Sequence, residues 1–222
     1  MGFITLEDLK SPKKLGILIC IIGGIQFIVV TLIAMFFYPG GYNFFFNYFS
    51  TLGVTVTSPT HTLPNVPNVI SFIMFFMAII IAGIVIIPFF IIIRTLFKDE
   101  KKMNIIAWIG SIVGIISAPF LMGVAIFPGN LFPGPTGLHS ISAKSFFIIF
   151  ALAIIIYSVA ILLNKNYPNG YAIFSMIIAV VAIAYAIIPM GILDAFMQKM
   201  VVYSFIFWTL IQSLKVLKIV ET

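Results

Sequence analysis

Few side chains in this sequence could carry chemistry, and most of them lie between long apolar runs. Five ionisable ones are expected at one level of the molecule, namely His61, His139, Lys144, Asp194 and Lys199. A histidine beside a carboxylate can act as a general acid/base pair, and a lysine can hold an anionic group. His139 and Asp194 are therefore candidate catalytic residues, and Lys144 is a candidate ligand-binding residue.

Each candidate also has a purely structural interpretation. Lys144 can extend its amine to the membrane surface or pair with Asp194, and His139 can be a hydrogen-bonding residue at a helix start. His61 lies in a Thr/Pro-rich stretch and fits an ordinary loop position. A metal site built from His61, His139 and Asp194 lacks a local ligand spacing such as H-x-x-x-H, so we expect no metal. No Gly-rich phosphate loop, G-x-S-x-G elbow or HExxH helix is present, and no cofactor is expected.

The composition is typical of an integral membrane protein. Of 222 residues, 62% are hydrophobic and only 8% are charged, against about 25% charged in a soluble domain. The basic residues flank apolar runs instead of forming a patch, which argues against nucleic-acid binding despite the net charge of +6. The single cysteine, Cys20, excludes a disulfide framework and a four-cysteine metal site.

Six apolar runs are long enough to cross a membrane as helices, since about 20 apolar residues span a hydrocarbon core of about 30 Å. The predicted spans are residues 15–37, 69–93, 104–127, 143–163, 171–193 and 200–217. Ser11 is placed to cap the first helix, and Pro12 suits its first turn. Pro39, Pro128 and Pro189 are expected to stop or kink the odd-numbered helices. The predicted fold class is an all-α, six-transmembrane helical bundle that forms one membrane domain over residues 1–222.

The basic residues predict the orientation of this bundle. Ten of them lie on the side of the two termini, and two, Lys144 and Lys199, lie on the other side. Because Lys and Arg accumulate in cytoplasmic segments, both termini are expected in the cytoplasm. Span three also carries small residues at four-residue spacing, at Gly110, Gly114 and Ala118. Such a stripe serves either packing inside the bundle or a homodimer face.

The segment 38–68 is expected on the outer side and contains no charged residue. Within residues 43–53, polar side chains recur at helical spacing opposite aromatic ones, and Gly53 is placed to end a helix. We predict a short interfacial helix over residues 43–53 that roofs an outward-facing polar pocket. The predicted pocket residues are Asn43, Asn47, Ser50, His139, Lys144 and Asp194.

The segment Asn47–Gly53, with the sequence NYFSTLG, resembles the N-x-I-S-x-L-G segment of a prokaryotic six-helix membrane family catalogued as domain of unknown function 998. Asn68 at the start of span two, Phe127-Pro128 at the end of span three and His139 at the start of span four also match. The resemblance covers residues 15–215 and implies a six-helix protein of a prokaryotic plasma membrane. Thr51 stands where that family often has an acidic residue, and the family has no established activity, so the resemblance implies no reaction.

Three functions are compatible with these observations. The first is a protein that holds a lipid or another amphiphile in the outward-facing pocket. The second is an intramembrane lipid-modifying enzyme that uses His139 and Asp194, and the third is an accessory subunit of a larger membrane complex. No acidic residue lies in the middle of a span, which argues against a proton-coupled transporter or an ion pump. The expected partners are membrane lipids, with a homo-oligomer or a larger complex left open, and not nucleic acid.

Overall fold

A computed structural model of the protein describes residues 11–57, 65–165 and 167–221, and the long elements within these ranges are helices. They are α1 (Pro12–Phe36), α2 (Val69–Ile93), α3 (Lys101–Ile126), α4 (Leu138–Leu163), α5 (Asn169–Ile187) and α6 (Asp194–Glu221). The structure has six helices that are long and apolar enough to cross a membrane. The expectation of an all-helical, multi-pass membrane protein is confirmed.

The remaining elements are short and lie at the ends of the helices. Single 3-10 helices occupy Phe49–Gly53, Arg94–Phe97 and Gly191–Leu193. In the first connection, β1 (Val56–Thr57) pairs antiparallel with β2 (Val66–Pro67). The prediction for His61 falls on residues 58–64, which lie outside the described residues.

The six helices pack as a closed ring. Each helix contacts its neighbours in the sequence, and α1 also contacts α6, which closes the ring. Aromatic side chains fill its centre: the Phe150 and Phe205 rings lie 4.6 Å apart, and Phe90 and Trp208 each lie within about 6 Å of Phe150. The described parts of the connection 37–68 meet the connections 127–137 and 188–193 at one end of the ring, which we call the pocket end.

The small-residue stripe of α3 is used inside this bundle. Ala118 is fully buried, and a Cβ atom added at Gly114 would overlap the ring of Phe90 on α2. A Cβ atom at Gly110 would lie 3.0 Å from the ring of Tyr157 on α4. Of the two uses that the sequence left open, the described helices show close packing against α2 and α4.

Several helix ends agree with the local sequence signals. The Ser11 hydroxyl accepts a hydrogen bond from the Lys14 amide at 3.4 Å, with Pro12 in the first turn of α1. Helices α1, α3 and α5 end two or three residues before Pro39, Pro128 and Pro189. The missing N–H of each proline accounts for these ends.

Two helices start five or six residues earlier than hydropathy predicts, while the other starts lie within three residues of the predicted ones. Helix α4 begins at Leu138 instead of residue 143, so that His139 lies in its first turn. Helix α6 begins at Asp194 instead of residue 200, so that Asp194, Gln198 and Lys199 belong to a helix and not to a loop. A search for apolar runs leaves these polar residues out of the predicted helices. In the structure their side chains form hydrogen bonds, so the helices can include them.

The predicted helix over residues 43–53 differs in form from the structure. Residues 44–46 form a turn, and only Phe49–Gly53 are helical, as a 3-10 turn. The Asn43 side chain accepts hydrogen bonds from the Phe45 and Phe46 amides, and Asn47 Oδ1 accepts one from the Asn43 amide at 2.7 Å. Asn43 thus caps a single turn, which the Asn47 amide closes by donating to the Asn43 carbonyl at 2.9 Å, and no further helical turn follows it.

Gly53 also has a different role from the one predicted. Its backbone does not adopt the left-handed conformation of a helix-ending glycine. A Cβ atom at this position would lie 2.5 Å from Cδ1 of the buried Phe75 ring on α2. Gly53 therefore permits the close approach of the 3-10 turn to α2.

Candidate functional site

An open cavity of about 440 Å³ lies at the pocket end, between the start of α4, the end of α5 and the start of α6. Residues 42–55, which we call the roof, cover one side of it through Tyr48 and Ser50. Its size falls in the range of small-molecule pockets, which is about 300–1,000 Å³. The lining includes Ser50, His139, Lys144, Phe147, Tyr185, Asp194 and Gln198, together with the apolar segment 186–189.

The charged groups of the cavity have both signs. Lys144 is exposed at its rim, one helical turn beyond His139, and Asp194 is half-buried at the start of α6. Phe147 and Ile187 form an apolar wall beside them. A molecule in this cavity would meet a cation, a carboxylate and a hydrocarbon surface together.

Asp194 is held by the roof of the cavity. Its Oδ2 accepts a hydrogen bond from the Tyr48 hydroxyl at 2.8 Å. Burial and the nearby carboxylate raise the pKa of Tyr48 above its usual value, so the hydroxyl keeps its proton and remains a donor. As the first residue of α6, Asp194 also lies where a helix dipole favours negative charge.

The pairing of Lys144 with Asp194, one of the two structural interpretations of Lys144, is not found in the described residues. Among the residues that the structure describes, Asp194 is bonded to Tyr48 and forms no ion pair with Lys144, although both line the same cavity. Each charge is thus left able to interact with a bound molecule. Lys144 and Asp194 are therefore not neutralised by a salt bridge to each other that would serve only the fold.

His139 has a structural hydrogen bond as well as a place on the cavity wall. Its Nδ1 lies 2.8 Å from the Phe127 carbonyl oxygen at the end of α3. Because a carbonyl only accepts, Nδ1 carries a proton and donates it to this bond, and Nε2 takes no part in it. No hydrogen bond joins His139 to Asp194 in the described part of the chain, so the two candidate catalytic residues are not assembled as an acid/base pair.

Lys199 ties the roof to α6. The side chain is fully buried, and its ammonium group donates hydrogen bonds to the Asn47 carbonyl and, at 2.7 Å, to the Ala195 carbonyl. The Tyr42 and Phe44 rings lie 5.5 and 5.3 Å from the same nitrogen. The charge is stabilised by carbonyl dipoles and ring faces, without a carboxylate ion pair in the described residues.

Other bonds join the roof to α6, to the start of α2 and to the connection after α3. The Ser50 amide donates to Gln198 Oε1 at 3.3 Å, and the Asn68 side chain donates to the Leu52 carbonyl at 3.0 Å. Asn130 Nδ2 donates to the Thr55 hydroxyl at 2.8 Å. Together with Lys199, these bonds fix the roof over the cavity.

The structure brings together four of the six predicted pocket residues. Ser50, His139, Lys144 and Asp194 line one cavity. Asn43 and Asn47 do not line it, because their side chains bind backbone groups of their own turn. In the described residues, no group of three or more His, Cys, Asp and Glu side chains could hold a metal ion.

Sequence reasoning did not place Tyr48, Tyr185 and Gln198 in this cavity. Gln198 lies four residues after Asp194, so a helix extended to Asp194 would have placed both on one face. Tyr48 was assigned to an apolar face, and Tyr185 lies in an apolar span. No local signal separates these two tyrosines from the other aromatic residues of the chain.

A comparison with family models, with curated proteins and with solved structures finds no match to this chain. The resemblance to the family of domain of unknown function 998 thus stays an expectation from the segment 47–53 and the other landmarks.

Proposed function

We propose that the protein holds an amphiphile, with the polar headgroup in the cavity between Lys144 and Asp194. The observation that carries this proposal is the composition of the cavity, in which opposite charges share a wall with Phe147 and residues 186–189. A headgroup that contains both an anionic and a cationic group suits this arrangement. The cation would lie against Asp194 and the anion against Lys144, each as a charge-assisted contact.

The enzyme hypothesis has weaker support. A general acid/base pair needs His139 and Asp194 within hydrogen-bond reach of each other or of one water. Instead, Nδ1 of His139 binds the Phe127 carbonyl, and Asp194 binds Tyr48. These contacts hold the two side chains in place as parts of the cavity wall, which suits a binding site better than an acid/base pair.

The proposal is tested by photo-crosslinking in lipid nanodiscs. The probe is a monoacyl phosphocholine with a diazirine on its headgroup, and the control probe is a monoacylglycerol with a diazirine on its uncharged headgroup. We expect the zwitterionic probe to label peptides from residues 135–147 and 185–198, and unlabelled monoacyl phosphocholine to compete. Uniform labelling of the exposed helix faces, or equal labelling by the control probe, would contradict the proposal.

We also propose that the pocket end faces the outside and that both termini are cytoplasmic. The ten-to-two distribution of basic residues supports this orientation. The resemblance to the prokaryotic family supports a prokaryotic plasma membrane as the location.

Cysteine labelling in intact cells tests this orientation. In a Cys20→Ala background, Thr136→Cys at the exposed pocket end should react with a membrane-impermeant maleimide, while Lys101→Cys at the exposed opposite end should not. After permeabilisation, both positions should react. Labelling of Lys101→Cys alone in intact cells would reverse the orientation.

A further inference from the structure

We propose that the hydrocarbon chain of the amphiphile enters the protein itself, through three successive cavities, and that the amphiphile therefore has a single chain. This inference rests on the proposed function, because the first of these cavities is the headgroup pocket. It goes further in naming where the chain lies and which class of amphiphile fits. The line of cavities leads one chain inward and offers no space for a second.

A second cavity of about 30 Å³ lies directly behind the headgroup pocket. The two cavities share four lining residues, which are Ser50, Ala143, Phe147 and Gln198. Beyond this shared layer, the second cavity is lined by apolar side chains, among them Phe49, Phe75 and Val124. Polar groups are thus confined to the side that faces the headgroup pocket.

A third cavity of about 40 Å³ continues the line towards the centre of the bundle. It shares Leu121 and Phe146 with the second cavity, so one layer of side chains separates the two. Phe150 and Phe205 contribute to its walls, and Gly23 and Gly24 of α1 lie at its side. Thr209 is its only hydroxyl-bearing lining residue, and that hydroxyl donates to the Phe205 carbonyl at 2.9 Å.

The line of cavities has the depth of one lipid leaflet. On α6, it runs from Gln198 to Thr209, a separation of eleven residues. At a rise of about 1.5 Å per residue this is about 16 Å, or half of a hydrocarbon core of about 30 Å. A chain whose headgroup lies between Lys144 and Asp194 would therefore end near the middle of the membrane.

The character of the inner cavities favours hydrocarbon over water. Cores pack with few voids larger than a water molecule, and voids lined by apolar side chains stay dry and accept apolar molecules. Two such voids in line with the headgroup pocket suit a hydrocarbon chain whose headgroup lies in that pocket. As they stand, the two voids are too small for the chain, so Phe146 and Phe147 must turn aside to join them and make room for one chain.

Quenching of Trp208 fluorescence tests this inference. Trp208 is fully buried, and its ring centroid lies 6.0 Å from that of Phe150 at the third cavity. Trp108 is 49% exposed, so the Trp108→Phe variant leaves Trp208 as the reporter. The protein is placed in nanodiscs of unbrominated phosphatidylcholine, and a monoacyl phosphocholine or a diacyl phosphatidylcholine with chain bromines at the same position is added.

We expect saturable quenching by the brominated monoacyl phosphocholine and little quenching by the brominated diacyl lipid at equal chain concentration. Ala143→Phe, which narrows the passage between the first two cavities, should reduce the quenching at least fivefold. Ile141→Phe on the exposed face of the same helix is the matched control and should leave it unchanged. If Ala143→Phe fails to fold, Ala143→Leu replaces it.

The outcomes separate this inference from the proposed function. Retention of the monoacyl phosphocholine in native mass spectrometry without quenching of Trp208 would overturn the inward chain and leave the headgroup pocket in place. Absence of retention would overturn both proposals. Equal quenching by the two brominated lipids, or equal quenching in the two helix α4 variants, would overturn the inference as well.

Discussion

Replacement of Lys199 by methionine is expected to free the roof of the cavity while the helical bundle stays folded. The substitution removes the hydrogen bonds to the Asn47 and Ala195 carbonyls and keeps a side chain of similar length. A hydrogen bond to a charged group contributes about 1.5–3 kcal/mol. Amide exchange in residues 42–49 should therefore accelerate by about 10- to 100-fold.

The same substitution should leave global stability unchanged or raise it. Lys199 is a fully buried cation, and replacing a buried charge by an apolar side chain removes its desolvation cost. Hydrogen exchange with mass spectrometry measures the opening of the roof, and thermal unfolding in detergent measures the stability of the bundle. Lys101→Met, at an exposed position of the opposite end, is the control and should alter neither quantity. Unchanged exchange in residues 42–49 of Lys199→Met would show that Lys199 does not hold the roof.

Replacement of Asp194 by asparagine is expected to weaken binding of a zwitterionic amphiphile by at least tenfold. The change removes the negative charge of the cavity wall but keeps an oxygen that can accept the Tyr48 hydrogen bond. A charge-assisted contact of about 1.5–3 kcal/mol corresponds to about 10- to 100-fold in Kd. The roof should therefore stay in place while the headgroup loses its anionic partner.

Titration with monoacyl phosphocholine, followed by native mass spectrometry, gives the affinity of each variant. Asp99→Asn is the matched control, because it is the same substitution at an exposed position of the opposite end of the bundle. It should bind as the unmodified protein does. If both variants lose affinity, the effect comes from the net charge and not from the cavity. If Asp194→Asn fails to fold, the role of Asp194 is structural.

The helices could be predicted from the sequence because each long apolar run has one way to satisfy its backbone in lipid. The starts of α4 and α6 could not, since their polar side chains depend on distant partners. Asp194 binds Tyr48, which is 146 residues away, and Lys199 binds Asn47, which is 152 residues away. Such pairings have no signal in a local window of sequence.

Of the candidate site, the sequence predicted several polar lining residues and a covering segment, but not the form of that segment. His139, Lys144 and Asp194 could be found because charges are rare in this chain and fall at one level. The form of residues 43–53 could not be predicted, because helical spacing of polar residues does not show that Asn43 and Asn47 bind their own backbone. The role of Gly53 depends on the ring of Phe75, which only the packed structure reveals.

The central claim is that the cavity between Lys144 and Asp194 holds an amphiphile. Its most direct test is native mass spectrometry of the protein released from the membrane without added lipid, beside Asp194→Asn prepared in the same way. We predict that the unmodified chain retains one amphiphile of a single mass class, and that Asp194→Asn is released largely without it. The account would be contradicted if both proteins were released without a bound amphiphile, or if both carried the same unselective mixture of lipids.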